Sequence, residues 1–226
     1  MTRVRHLLAL LAIFVACGAS AQFYSAPKGT VPGSARTMGT NPAIRIDQRL
    51  NMVVSPDIEF TDWTGQKVTT GELINERPVL LLMIFYKCTS VCAVEMVNLK
   101  KTLRGMIKDD VSKLYDVVVV SIDPTETPDQ AAMMRKDFID SYNRPGTEEG
   151  FKFLVGDAEN IDRLADEVGF RFYRDPKNGR ITHPAGLMVL SPERRVCRYF
   201  LDQEFSAKMV QLALKDARDE VVGDRE

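Results

Sequence analysis

The stretch LLLMIFYKCTSVC, residues 80–92, joins an apolar run to a pair of cysteines. The uninterrupted apolar run from Val79 to Tyr86 predicts a β-strand that is buried on both faces, as in the sheet of an α/β protein. Two cysteines, Cys88 and Cys92, follow the run and are separated by three residues. Open α/β sheets place their sites just beyond the carboxyl ends of such strands. The cysteine pair is therefore the first candidate site.

The rest of the chain alternates apolar runs with segments of helical periodicity. A hairpin is predicted in DIEFTDWTGQKVTT, with its turn at Thr64-Gly65. A helix is predicted after the cysteines, because apolar residues recur there at helical spacing: Val94, Val97, Leu99, Leu103, Met106 and Ile107. The remaining predicted elements are strands in YDVVVVSID and FKFLVG, helices over about 128–142, 158–169 and 206–217, and two strands around Ser191-Pro192. This order predicts an α/β fold with a central mixed sheet flanked by helices.

The amino-terminal sequence is typical of export. Two arginines precede an apolar run that ends at ASA, so residues 1–21 are predicted to be a secretory signal peptide. An uncleaved anchor and lipid attachment at Cys17 are the alternatives, so the membrane link is at most an amino-terminal tether. Residues 22–45 are rich in Ser, Gly, Pro, Thr and Ala, which predicts a flexible linker. We expect one domain over 46–217 and a polar tail over 218–226, in the periplasm or at the outer face of the cytoplasmic membrane.

Composition excludes several classes of protein. The 226 residues carry a formal net charge of −1, which gives no basis for a nucleic-acid partner. Without Cys17, three cysteines remain, too few for a disulfide-stapled scaffold. In an oxidising compartment, a thiol pair stays reduced only through a reductant or a bound metal.

The spacing of the cysteine pair permits two kinds of chemistry. If a helix begins here, Cys88 and Cys92 share one face with Cα atoms about 6 Å apart, near the long end of the disulfide range. The pair can then close as a disulfide or hold a metal between two sulfurs. A helix amino terminus favours the thiolate that either reaction needs. The alternative is two buried, inert cysteines.

Three other residues are candidates for a role at or near the site. His183 is the one histidine after the predicted leader, and with two thiolates it suits Cu(I) but falls one ligand short of a closed zinc site. Spacing alone does not place it near the cysteines, and a surface histidine, or one with its hydrogen bonds satisfied, is the alternative.

Asp123 follows the second buried strand and is a candidate to tune the pKa of the thiols. It also fits a simple turn before a helix capped by Thr127 and Gln130. Cys197 is expected to be a small buried hydrophobe, with a resolving thiol as the alternative.

The blocks YKCTSVC, SIDPTETP, FKFLVGD and THPAGLMVLSPERRVCRYF, in this order from about Phe60 to Leu214, resemble the SCO/SenC family. These are exported, thioredoxin-like proteins associated with copper delivery to cytochrome c oxidase. The resemblance implies a thioredoxin-like fold in which the histidine loop faces the CxxxC helix. It also implies that Cys88, Cys92 and His183 are the copper ligands, for Cu(I) or for Cu(II), and that the partner is the copper-bearing subunit of the oxidase or another copper protein.

Two functions from different classes compete. The first is a copper metallochaperone that holds Cu(I) when its cysteines are reduced and depends on a thiol reductant. The second is a thiol-disulfide oxidoreductase that acts on exported or membrane-protein cysteines through the Cys88 and Cys92 redox pair. His183 discriminates them, because only copper binding requires it. A peroxidase-like reading is weaker, since no arginine is close to the cysteines in sequence.

Overall fold

A continuous central sheet dominates the computed structural model, which describes residues 43–88, 91–106, 110–201 and 204–223, with the backbone alone for residues 91 and 92. The strands are β1 (Arg45–Ile46), β2 (Glu59–Asp62), β3 (Lys67–Thr69), β4 (Val79–Ile84), β5 (Asp116–Ser121), β6 (Phe151–Val155), β7 (Phe170–Arg171), β8 (Tyr173–Arg174), β9 (Ile181–Thr182), β10 (Leu187–Leu190) and β11 (Val196–Phe200). The helices are α1 (Thr70–Leu73), α2 (Val91–Gly105), α3 (Pro128–Tyr142), α4 (Ala158–Glu167) and α5 (Ala207–Arg218).

The main sheet has seven strands in the order β11-β10-β4-β5-β6-β2-β3. Its centre is parallel, because β4 pairs with β5 and β5 pairs with β6 in the same direction. The strands on either side are antiparallel, which makes the sheet mixed. Every side chain of β4 and β5 is buried, as expected for central strands covered on both faces.

Helices cover both faces of this sheet and divide the core into two layers. Alternate residues of β4 point to opposite sides: Leu80, Leu82 and Ile84 join one cluster, and Val79, Leu81 and Met83 join the other. The first cluster includes side chains of α2, α3 and α5, and the second includes side chains of α1 and α4. The predicted α/β class with a central mixed sheet and flanking helices is confirmed.

Two short ribbons lie outside the main sheet, and the sequence pattern did not predict them. Strand β1 pairs with β7, and β8 pairs with β9, in both cases antiparallel. The second ribbon matters for the site because β9 ends at Thr182, directly before His183. Among the described residues, no helix is long and apolar enough to cross a membrane.

Most predicted elements are found where the pattern places them, with one correction on α2. The hairpin turns at Gly65, whose φ of 87° suits glycine, and the predicted helix over 128–142 coincides with α3. Val94 and Val97, assigned to the same apolar periodicity as Leu99, are instead 45% and 57% exposed. The helix packs against the core through the side that carries Glu95 and Met96. The apolar pattern did not identify this side as buried, because one of its residues is a glutamate.

The predicted leader over 1–21, with Cys17, lies outside the described residues, as do Ile107, most of the predicted linker and the last three residues of the predicted tail. The described part of the domain begins with β1 at Arg45, next to the predicted boundary. Helix α5 extends to Arg218.

Candidate functional site

Cys88 lies in the loop that follows β4, four residues beyond Ile84, and its side chain is partly exposed. The loop begins with a tight turn in which the Cys88 N–H donates to the carbonyl of Phe85 at 3.3 Å. A partly exposed thiol at the carboxyl end of a central parallel strand is accessible to a ligand or to another thiol. The sheet therefore presents Cys88 at the edge where the sequence predicted a site.

Glu126 fixes the path of the chain into this loop. Its two carboxylate oxygens accept the backbone N–H groups of Tyr86 and Lys87 at 2.8 and 2.7 Å, and the Ser121 hydroxyl donates to it at 2.6 Å. The side chain is only 5% exposed. Hydrogen bonds to a charged acceptor are stronger than neutral ones, so the two residues before Cys88 are held firmly. Sequence reasoning missed this role.

Cys92 is the second residue of α2. The helix start confirms that the second cysteine of the CxxxC motif lies at a helix amino terminus, where partial positive charge favours a thiolate. The backbone therefore provides the setting that the sequence predicted for this cysteine.

His183 lies between β9 and β10 and packs against the cysteine loop. Its ring contacts Phe85 edge to face with a centroid distance of 5.8 Å, and Phe170 lies on another side at 6.0 Å. Phe85 is three residues before Cys88, so the fold brings the histidine segment to the cysteine segment. This proximity is what sequence spacing alone could not establish.

The imidazole of His183 has a defined tautomer. Its Nδ1 atom lies 2.9 Å from the Pro184 carbonyl oxygen, which can only accept, so Nδ1 carries the proton and donates it. Burial lowers the pKa of His183, partly offset by this hydrogen bond, and so favours the neutral ring. The lone pair then resides on Nε2. A backbone-oriented neutral imidazole is the form that binds metals.

Glu95 connects the cysteine helix to the histidine segment. It lies one turn after Cys92 in α2, and its Oε1 atom accepts the backbone N–H of Gly186 at 3.0 Å. Gly186 is three residues beyond His183 and directly precedes β10. The side chain is 1% exposed, and Oε2 has no hydrogen-bond partner among the described residues. A buried carboxyl group therefore sits between the two segments that carry the candidate ligands.

The surroundings of Glu95 are unusual for a carboxyl group. Burial raises the pKa of Glu95 to about 8, the hydrogen bond from Gly186 opposes the rise, and the Cys88 thiol, as a thiolate, adds to it. The influence of Cys88 shows that the carboxyl and this thiol share one electrostatic environment. The apolar pattern of α2 did not indicate that Glu95 is a buried residue of the site. The signal that could have indicated it is the position of this glutamate next to Met96 and near Leu99, which are apolar.

An apolar groove of about 300 Å³ opens beside Cys88, between α2 and α3. Its lining includes Phe85, Met96, Val97, Met134 and Phe138. The exposure of Val97, unexpected from the sequence, is thus part of the surface next to the candidate site.

The structure places Asp123 in a turn. Its Oδ1 atom accepts the N–H and the hydroxyl of Thr125 at 2.9 and 2.7 Å, and Glu126, rather than Asp123, contacts the cysteine loop. At the following helix start, Gln130 accepts the Thr127 N–H at 2.9 Å, as expected for a cap. The influence of Asp123 on the thiols therefore stays a prediction.

Cys197 lies in β11 and is buried, with its thiol donating to the Arg195 carbonyl at 3.4 Å. Burial, with the negative charge of Glu220, raises the pKa of this thiol to about 11. The expectation of a small buried hydrophobe is confirmed, because a thiol so strongly protonated is a poor nucleophile.

Among the described side chains, no three from His, Cys, Asp or Glu lie close enough together to hold a metal ion. Because the Cys92 side chain is not among them, the predicted set of Cys88, Cys92 and His183 is left untested by that finding. The chemistry of the set fits copper, since thiolates and a neutral imidazole are the soft and borderline donors that Cu(I) prefers.

The chain matches the protein-family model described as SCO1/SenC over residues 47–217, about three quarters of its length. No protein among those with curated descriptions matches it.

Solved structures with the same fold include three informative relatives. A protein described as a putative electron transfer protein from Aquifex aeolicus VF5 is 24% identical over 75% of this chain and 95% of its own, with a TM-score of 0.64. ScoI from Bradyrhizobium japonicum, solved with copper bound, is 22% identical over 74% and 98%, with a TM-score of 0.54. BsSco, described as having a disulfide switch and as a member of the Sco family of cytochrome c oxidase assembly proteins, is 22% identical over 76% and 96%, with a TM-score of 0.55.

Proposed function

Since the chain belongs to the SCO1/SenC family, we propose that it is an exported copper metallochaperone that holds Cu(I) through Cys88, Cys92 and His183. The observation that carries the proposal is the contact of the His183 ring with Phe85, at a centroid distance of 5.8 Å, which joins the histidine segment to the cysteine loop. The residues that the sequence singled out separately thus belong to neighbouring parts of one edge of the sheet.

The donor chemistry supports copper over zinc. Two thiolates and one imidazole provide three ligands, a number that suits Cu(I), whereas structural zinc sites usually have four. The Nδ1–H bond to the Pro184 carbonyl leaves Nε2 of His183 as the donor atom. The copper found in Bradyrhizobium japonicum ScoI, which shares the fold, agrees with this assignment.

Delivery follows from the accessibility of the thiols. Cys88 is partly exposed beside an apolar groove, so a partner with its own soft ligands can approach the site and exchange ligands with it. We infer that this partner is the copper-bearing subunit of cytochrome c oxidase or another exported copper protein. In an oxidising compartment, an exported disulfide would take two electrons from the thiol pair, closing a Cys88–Cys92 disulfide and releasing the metal. A thiol reductant would return those electrons.

The experiment is a titration of the reduced protein with Cu(I) against a competing chelator. We expect one Cu(I) per chain and loss of binding in Cys88→Ser/Cys92→Ser. Removing a ligand should cost at least as much as removing a group that orients one, so His183→Ala should weaken binding by at least about 10- to 100-fold. Cys197→Ser is the matched control, because it removes a buried thiol away from the candidate ligands, and it should bind as the wild type does. Binding that is weak and indifferent to both the cysteine pair and His183 would overturn the proposal.

A thiol-disulfide oxidoreductase is the second candidate, supported by the position of Cys92 at the start of α2. The disulfide switch described for BsSco points in the same direction for a protein of this fold. The two functions separate in one comparison. An oxidoreductase should reduce exported disulfides equally well with and without His183, whereas the chaperone needs His183 for its metal.

A further inference from the structure

We propose that Glu95 is a positioning residue that holds the His183 segment against the CxxxC helix and so sets the imidazole in place for copper. This inference rests on the proposed function. Glu95 itself supplies no ligand; it acts through the Gly186 N–H, which it binds at 3.0 Å.

The hydrogen bond between Glu95 and Gly186 joins equivalent positions in the two segments that carry the ligands. Glu95 follows Cys92 by three residues in α2, and Gly186 follows His183 by three residues before β10. One hydrogen bond therefore joins the ends of the two ligand-bearing segments. The Phe85 contact joins the same histidine segment to the loop on the other side of the motif, before Cys88. The segment is thus fastened at both ends of the CxxxC stretch.

Gly186 is a firm point of attachment. A side-chain carbon at this position would collide with Ile46 Cδ1 and would lie 3.2 Å from the Phe200 carbonyl oxygen. Gly186 is therefore packed closely against β1 and β11. Its N–H is directed to the Glu95 side chain, which accepts it.

Packing alone does not explain a glutamate here. A buried carboxyl group costs free energy unless its polar atoms are paired, yet Oε2 of Glu95 has no hydrogen-bond partner among the described residues. A leucine or methionine would fill the same side of α2 without that cost, as Met96 and Leu99 do nearby. The free-energy cost of burying the Glu95 carboxyl is tolerated because its hydrogen bond with the Gly186 N–H positions the neighbouring ligand segment.

The test is a double-mutant cycle on Cu(I) affinity with a conservative rescue. Glu95→Ala should lower the affinity by about 10- to 100-fold, the range typical of residues that orient metal ligands. In a His183→Ala background, the same change should cost less than about threefold, because its effect passes through His183. Glu95→Gln keeps an acceptor oxygen for Gly186 and should stay within about threefold of the wild type.

A copper-free measurement accompanies the cycle. In the reduced wild type, amide hydrogen exchange at Gly186 should be slow; Glu95→Ala should accelerate it by at least about tenfold, and Glu95→Gln should restore the protection. Unchanged exchange at Gly186 in Glu95→Ala would overturn the inference even if that variant binds copper poorly.

The outcomes distinguish this inference from the function on which it rests. If the wild type binds no Cu(I), the proposed function fails, and the inference fails with it. If the wild type binds and Glu95→Ala binds equally well, or loses as much affinity in the His183→Ala background as in the wild type, the positioning role alone is overturned. If Glu95→Gln is as impaired as Glu95→Ala while both remain folded by circular dichroism, the hydrogen bond is not the cause and the inference is likewise overturned.

Discussion

Replacing Glu95 with glutamine should make the protein more stable at neutral pH. The pKa of Glu95 is raised from 4.5 to about 8, chiefly by burial, so the folded state keeps a proton that the unfolded chain releases. A group with a raised pKa in the folded state contributes stability fully below its unfolded pKa, and this contribution is lost as the pH rises toward the folded pKa. Glutamine has no ionisable proton, so the Glu95→Gln variant should not lose this stability as the pH rises.

The size of the effect follows from the pKa difference. The full loss, reached above the folded pKa, corresponds to about 5 kcal/mol in the free energy of unfolding. Between pH 5 and pH 7 the expected loss is about 2–3 kcal/mol. At pH 5 the wild type and Glu95→Gln should differ by less than about 1 kcal/mol, because the carboxyl is neutral in the folded protein and only part of the full loss has yet been reached.

Urea denaturation of the reduced, metal-free protein at pH 5, 6 and 7 measures this directly. The free energy of unfolding of Glu95→Gln minus that of the wild type should grow by about 2–3 kcal/mol between pH 5 and pH 7. Glu193→Gln, which removes an exposed carboxyl, is the control and should follow the wild type. Parallel pH profiles for the wild type and Glu95→Gln would refute the argument that Glu95 is buried as a neutral acid.

Three further changes probe the surroundings of the site. Glu126→Ala leaves the buried N–H of Tyr86 and the part-buried N–H of Lys87 without their acceptor, so urea denaturation should show a loss of about 2–4 kcal/mol; a loss below about 1 kcal/mol would contradict that anchoring role. Cys197 should resist a thiol-alkylating reagent in the folded protein at pH 8 and react once the chain is unfolded, as followed by intact mass; rapid modification of the native protein would show that its thiol is not protected. Gly186→Ala should lower the free energy of unfolding by about 1 kcal/mol, because the end of the Ile46 side chain must move aside, and Ile46→Ala should reduce the cost in the double variant; additive costs would argue against this contact.

The central sheet could be predicted because the sequences of its buried strands are continuous apolar runs. The short apolar runs of β4 and β5, rich in β-branched residues and leucine, favour central strands, and the capped start of α3 is marked by Thr127, Pro128 and Gln130. The cysteine loop and the turn at Asp123 follow at the carboxyl ends of those strands, which is why the edge of the sheet could be identified as the site.

The connections within the site were not predictable, because each depends on a contact across many residues of chain. The Gly186 N–H meets Glu95, which is 91 residues away, and Glu126 reaches the N–H of Tyr86 across 40 residues. Both acceptors are glutamates, a residue type that sequence patterns assign to the solvent. The exposure of Val94 and Val97 was missed for the same reason: the burial of Glu95 turns that side of α2 toward the histidine segment.

X-ray absorption at the copper edge of the reduced, Cu(I)-loaded protein reports the ligand atoms themselves. We expect two sulfur neighbours and one nitrogen neighbour per copper, with the nitrogen contribution lost in His183→Ala and the sulfur contribution lost in Cys88→Ser/Cys92→Ser. A spectrum with sulfur neighbours alone, or one that His183→Ala leaves unchanged, would contradict the assignment of Cys88, Cys92 and His183 as one copper site.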